Sequence, residues 1–296
     1  MTLKLKTRRQ FIKDSASTAA GFMFLNFWDQ AFAGNDKKSR VVLVRHEQAV
    51  DNLNKPRLEI VQKMLDDAVC ALLDTDDPVK AWKKILNPED IVGIKTNVWN
   101  YLPTTQAVEQ AIKKRVMETG VKEENIGIRD RGVLNDPLFQ KSTALINARP
   151  MRTHHWAGVG TLIKNYIMFV DKPWDYHGDS CADLAKIWYL PPVKDKTRLN
   201  ILVMFTPLFH GIGPHHFNPQ YVWPYSGLIV GLDPVAVDAV GVRILQAKRN
   251  QFFKEDRPLN PPPKHIFLAD TRHHLGTADP DKIELIKLGW KKEIFI

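Results

Sequence analysis

The sequence predicts an α/β protein built on a mostly parallel sheet with helices on both faces. Two observations carry this. Short runs that are apolar almost throughout, such as Val41 to Arg45 and Leu199 to Phe205, read as strands covered on both sides. Segments with helical spacing fall between such runs, and strands alternating with helices indicate a parallel sheet joined by right-handed crossovers.

The elements follow in order. Val41 to Arg45 is the first strand. Leu58 to Leu73 is a helix, with Ile60, Val61, Met64, Leu65, Ala68, Val69 and Leu72 on one broad face. Asp77 followed by Pro78 opens a second short helix through Leu86. Asp90 to Asn97 is a strand. A loop through Pro103 then leads to a helix from Thr104 to Glu118, stopped by Gly120. Ile126 to Asp130 and Thr143 to Asn147 are the next strands. Cys181 to Tyr189 is helical in pattern, and Leu199 to Phe205 is a clear strand. A long loop, Thr206 to Ser226, is rich in Pro, Gly, His and aromatics. Gly227 to Lys248 reads as strand, turn and helix. His265 to Asp270 and Lys292 to Ile296 read as the last strands, with Asp281 to Leu288 helical between them.

The first residues concern address rather than fold. Thr7 to Lys13, "TRRQFIK", is a twin-arginine export motif. Lys4 and Lys6 precede it, a weakly apolar segment from Ser15 to Trp28 follows, and Ala31 to Ala33 offers small residues for cleavage. Residues 1–33 are therefore expected to be a signal peptide recognised by the twin-arginine machinery. Residues 34–296 are expected to be a single α/β domain, exported folded to the periplasm or a similar extracytoplasmic space. The segment is too short and polar for a stable membrane span, and nothing later approaches one.

The formal net charge is +9, and about +6 without residues 1–33, a charge that suits anionic ligands or a membrane surface. No Lys/Arg-rich run with interleaved aromatics is present, which argues against nucleic acid. Cys70 and Cys181 are the two cysteines: a disulfide between them is one option, but they cannot hold a four-cysteine iron–sulfur cluster. There is no dinucleotide fingerprint, Walker sequence or nucleophile elbow, which disfavours hydride transfer and nucleotide hydrolysis.

Ligands in such sheets sit beyond the carboxyl ends of the strands. There the chain carries Lys95-Thr96-Asn97, Arg129-Asp130-Arg131 and the loop after Phe205. The most informative stretch is "THHWAGVGTLIKNYIMF", Thr153 to Phe169. Lys164 lies in an apolar run, so its ammonium either snorkels to water or is a fixed cation, with Asn165 beside it as a neutral donor. Asp233, followed by Pro234, reads as a helix N-cap. Asp238 lies one turn on among valines and alanines and needs a cation or metal, and Lys164 is the first candidate partner. Six of the ten histidines stand in adjacent pairs, and His177, Asp179 and Cys181 alternate in a polar turn. His154, His177, His210 and His215 are candidate ligands for a divalent transition metal, although no tight metal-binding spacing is present. Gly158 and Gly160 permit a tight turn.

In the order of these segments, from the Asp90 strand to Asp233–Gly241, the chain resembles the family of domain of unknown function 362. The resemblance covers roughly Val41 to the end. It implies His154, Lys164, Asn165, Asp233 and Asp238 as recurring polar positions, with His177 matching a histidine that follows the Lys-Asn pair. It also places Arg152 where a lysine is common. Some relatives carry ferredoxin-like cysteine motifs, and this chain has none.

The reading that results is an exported enzyme acting on a small anionic substrate. Lys164, His154, His177 and Asp238 are the candidate catalytic residues, and Arg152, Asn165 and Lys95 the candidate ligand-binding residues. The alternative is a non-catalytic binding or assembly protein for an anion, a metal or a partner. Two forms of the site stay open: a metal centre built from the histidines, or an anion site built from Lys164 and Arg152.

Overall fold

The computed structural model describes residues 38–213 and 215–296. The export motif and its cleavage site lie outside the described residues. The strands are β1 (Ser39–Arg45), β2 (Val92–Lys95), β3 (Ile126–Arg129), β4 (Ala144–His154), β5 (Gly158–Gly160), β6 (Thr197–Leu208), β7 (Gly227–Gly231) and β8 (Ile283–Gly289). They form one sheet in the order β3-β2-β4-β6-β7-β1-β8, with β5 paired to β4. β3, β2, β4 and β6 run parallel, as do β1 and β8. β7 is antiparallel to β6 and β1, and β5 folds back antiparallel on β4.

The helices are α1 (Leu58–Leu72), α2 (Pro78–Lys83), α3 (Gln106–Glu118), α4 (Pro137–Lys141), α5 (Leu162–Asn165), α6 (Pro234–Phe253) and α7 (Lys264–Thr271). They cover both faces, because successive strand residues point to opposite sides. Val42, Val44, Ile94, Ile146 and Ile201 pack with Met64 and Leu65 of α1 and Ile112 of α3. Val41, Leu43, Leu145, Leu202 and Ile229 pack with Leu162 of α5, Val237 and Ile244 of α6 and Ile266 of α7. Every residue of β4 is buried.

The carboxyl half of the chain differs from expectation in three places. His265 to Asp270, expected as a strand, is α7. Ile266 and Ala269 are three residues apart and both buried, which is a helix face, and the Pro261–Pro263 run ends where the helix begins. Asp281 to Leu288, expected as a helix, holds all but the last residue of β8, a strand that completes the edge beside β1. Backbone pairing with β1 outweighs the weak helical spacing there. Lys292 to Ile296 is not a strand. In addition, the strand expected to end at Asn147 runs on to His154, and only the 3₁₀ turn Leu184–Tyr189 forms within the expected Cys181 helix. Cys70 and Cys181 are both free thiols.

Asp233 caps α6 as its sequence predicts, accepting from the amides of Val235 at 2.8 Å and Ala236 at 3.1 Å. It also accepts from Ser39 Oγ at 2.8 Å and the Thr277 amide at 2.9 Å, which ties the start of β1 and the approach to β8 to this helix end. Asp233→Ala orphans four donors around a buried position. It is expected to lower the unfolding free energy by about 3 kcal/mol in urea titration. A loss below about 1 kcal/mol would reduce this contact to an ordinary exposed cap.

Candidate functional site

Because β3, β2, β4 and β6 are parallel, their carboxyl ends lie on one side of the sheet. Lys95 ends β2, Asp130 follows β3, and Arg149, Arg152 and His154 occupy the second half of β4. Pairing between β4 and β6 changes register between Pro150 and Arg152, so strict alternation of side chains breaks there. The chain then turns through His155–Ala157 into β5, which leads to Thr161 and α5. At Gly160 a side chain would meet Arg149: an added Cβ would stand 2.7 Å from a terminal guanidinium nitrogen. Glycine here therefore makes room for that guanidinium against β5.

Two of the expected ligand-binding residues are engaged inside the protein. Lys95 is fully buried, and its Nζ donates to Asp130 Oδ1 and to the Thr96 carbonyl, both at 2.7 Å, and to Asn165 Oδ1 at 3.3 Å. Burial pulls its pKa down to about 8 against the attraction of Asp130. Asn165 Nδ2 donates to the Lys95 carbonyl at 3.2 Å and to Asn147 Oδ1 at 2.8 Å. Asn147 in turn donates to the Leu162 carbonyl at 3.1 Å. Asn165 thus locks α5 to β2 and β4.

The expected Lys164–Asp238 ion pair does not form. Asp238, fully buried on α6, accepts from Thr161 Oγ1 at 2.6 Å and from the amides of Leu162 at 3.0 Å and Ile163 at 2.9 Å. The first amides of a helix lack partners within it, and this carboxylate supplies them. Burial pushes the Asp238 carboxyl up to about 7, while those three donors and Arg149 pull it down. Lys164 is 3% exposed, and its one hydrogen-bond partner among the described residues is Cys181 Sγ at 3.6 Å. Burial lowers its pKa to about 8. Cys181 reaches it from a turn in which Asp179, Ser180 and Cys181 have φ of 47°, 55° and 64°. Three successive non-glycine residues in the left-handed region are costly, and the turn holds the thiol beside the amine.

Two further cations share this region. Arg149 is 4% exposed and makes no hydrogen bond or ion pair with a described residue; burial lowers its pKa to about 10. Arg152 is 4% exposed, donates to Asn97 Oδ1 at 2.8 Å, and lies 4.4 Å from the centre of the Trp99 ring. Burial, then Arg149, hold its pKa well below the usual value.

Of the histidines around them, His154 and His177 are uncharged. Burial, with Lys164, Arg149 and Arg152 adding to it, keeps His154 far below the usual imidazole range. Its Nδ1 accepts from the Trp156 amide at 3.2 Å, which leaves the proton on Nε2 as a donor. His177 is lowered to about 4 by burial and Lys164, and packs on Trp156 with ring centres 4.2 Å apart. His155 stacks on His154 at 4.7 Å and meets His215 edge-on at 4.4 Å. His210 is drawn elsewhere, to Arg249, Tyr221 and Phe253. No group of three or more His, Cys, Asp or Glu among the described residues has the arrangement to hold a metal ion.

His265, on α7, was not anticipated. It is fully buried, neither ring nitrogen has a hydrogen-bond partner among the described residues, and burial together with Lys164 and Arg149 lowers its pKa to about 3. The sequence around it offered no cue, being a single histidine between a proline run and an apolar stretch. More broadly, Arg149, Arg152, Thr153, His155, His177 and His265 together carry eight buried side-chain nitrogen and oxygen atoms that lack a partner among the described residues. Orphaned buried polar atoms are rare, and the β4 end, the turn after it, His177 and α7 together carry these eight.

Residues 136–243 match the model of a family described as Domain of unknown function (DUF362). The matched segment carries Arg149, Arg152, His154, Lys164, His177, Cys181 and Asp238, while Lys95, Asp130 and His265 lie outside it. No curated protein and no solved structure matches the chain.

With no acid to strand, removing the Lys164 charge stabilises the fold. The folded pKa of about 8 lies below the ordinary 10.5. Below pH 8 both folded and unfolded chains are protonated and the full penalty of burial applies; above pH 10.5 neither is, and it vanishes. Lys164→Met is expected to raise the unfolding free energy at pH 7 by about 1–3 kcal/mol, with the gain shrinking as pH rises between those limits. A destabilised variant at pH 7 would mean that the ammonium has an acidic partner.

Proposed function

We propose that the protein is an enzyme that binds a small anionic substrate at the carboxyl ends of β2 and β4. One observation carries this reading. Arg149, Arg152 and Lys164 are buried cations with no carboxylate partner among the described residues, while both nearby carboxylates are engaged, Asp130 by Lys95 and Asp238 by the start of α5. Burying charge is unfavourable unless a counter-charge meets it, and a ligand is the remaining source of one. Lys164, with a pKa near 8, can hold negative charge and exchange a proton close to neutral pH. His154 offers an Nε2 donor, and His177 is a neutral imidazole able to accept a proton. Asp238 acts through the position of α5.

A second reading, an anion-binding protein without turnover, draws support from exposed aromatics. Trp156 beside His177 is 47% exposed, and Tyr101, next to Trp99, is 56% exposed. Such surfaces suit capture of a partner. Turnover of phosphate and carboxylate esters by the purified protein separates the two.

The twin-arginine motif leads us to place this activity outside the cytoplasm. The guanidinium pair presents a planar fork that lysine does not reproduce. Arg8→Lys with Arg9→Lys is therefore expected to retain the protein in the cytoplasmic fraction, and unaffected export of the double variant would remove the assignment.

The binding test uses inorganic sulfate in calorimetry. Lys164→Met is expected to weaken sulfate binding by about 10–100-fold at pH 7, the worth of one charge-assisted hydrogen bond. Affinity of the unaltered protein should fall as pH rises through about 8, where the Lys164 ammonium is lost. Binding that is indifferent to both the substitution and the pH would place the anion elsewhere.

A further inference from the structure

The charge of the cluster can be counted over its main ionisable groups. β4 supplies Arg149, Arg152 and His154, and α5 supplies Lys164. The ends of β2 and β3 supply Lys95 and Asp130, and α6 supplies Asp238. His177 and the Asp179–Cys181 turn close one side, and Lys264 and His265 of α7 lie against it. Lys95 pairs with Asp130 at 2.7 Å, and Lys264 pairs with Asp179, so these four cancel. The histidines are neutral and the Cys181 thiol, raised by burial, is protonated. Three cations, Arg149, Arg152 and Lys164, then face one carboxylate, Asp238, and that carboxylate already accepts three hydrogen bonds. Two positive charges remain unbalanced.

The donors have a matching form. Arg149 Nε and Arg152 Nε are buried donors without partners among the described residues, and the neutral His265 ring, unpartnered at both nitrogens, adds one further N–H. These groups come from β4 and α7, and Lys164 comes from α5, so they belong to separate elements. A lone carboxylate has two oxygens and one charge. A phosphate monoester or sulfate offers three or four oxygens and two charges, and guanidinium forks suit it well.

We infer that the site selects a dianionic tetrahedral oxyanion, a phosphoryl or sulfate head group, over a monoanion of similar shape. This rests on the anion-site reading above and narrows it to a substrate class. Two opposite charges neutralise the excess, whereas a monoanion leaves one cation buried without a counter-charge.

The test compares probes of one shape and different charge by calorimetry on the full folded protein at pH 7.5. Sulfate and methyl phosphate are the dianions; methanesulfonate and dimethyl phosphate are the monoanions. The dianions are expected to bind at least about tenfold more tightly, the effect of one further charge-assisted contact. Arg149→Met removes one unbalanced charge and is expected to narrow that preference several-fold. The comparison on unaltered protein decides the matter even if this variant does not fold. Binding of both classes with less than about a tenfold difference overturns the dianion assignment and leaves the anion site standing. Failure of all four probes to bind overturns both.

Discussion

Asp238 accepts three hydrogen bonds from the turn that begins α5, and the placement of the site's charge depends on that contact. The carboxylate reaches across from α6 and satisfies amides that the short helix cannot satisfy itself. One residue beyond them comes Lys164, and next Asn165, which locks onto β2 and β4. A single helical turn is thus fastened at its start by an acid and at its end by an amide. The lysine between these fastenings is held in the interior, and Asp238 is already used by the turn.

Lys95 and Lys164 show why that matters. Burial lowers both to about 8. Lys95 has a carboxylate at 2.7 Å and a backbone carbonyl, as expected of a structural buried ion pair. Lys164 has a thiol at 3.6 Å. The protein supplies a counter-charge for one ammonium and withholds it from the other, and it does the same with Arg149. Withholding it weakens the fold at that point, a pattern common at binding sites, where stability is given up for a ready-made electrostatic environment.

Much of the fold was legible because its signals are local. The apolar runs of β1, β6 and β7, the period of α1 and α3, and the Asp-Pro caps at Asp77 and Asp233 need no tertiary context. What was hidden is informative. The sequence pattern ends β4 at Asn147 because Arg149, Pro150, Arg152 and His154 do not look like a buried strand, yet those residues carry the candidate site. The charge of Lys164 is legible as a problem, but its surroundings are not, since a valine-rich helix carrying one aspartate suggests an ion pair as readily as a cap for a neighbouring turn. His265 was invisible because α7 meets the site through tertiary packing alone. The edge strand β8 owes its form to β1, which lies more than two hundred residues away in sequence.

The central claim is that Lys164 is an uncompensated cation awaiting an anion. Proton uptake on binding tests it most directly, measured by titrating sulfate calorimetrically at pH 8 in buffers of different ionisation enthalpy. Sulfate carries no titrating proton of its own in this range, so uptake reports the protein. With a free pKa of about 8, Lys164 is half protonated before binding and fully protonated beside the anion. The account predicts uptake of about half a proton per site, abolished in Lys164→Met. Sulfate binding without proton uptake, or with the same uptake in the methionine variant, would contradict it.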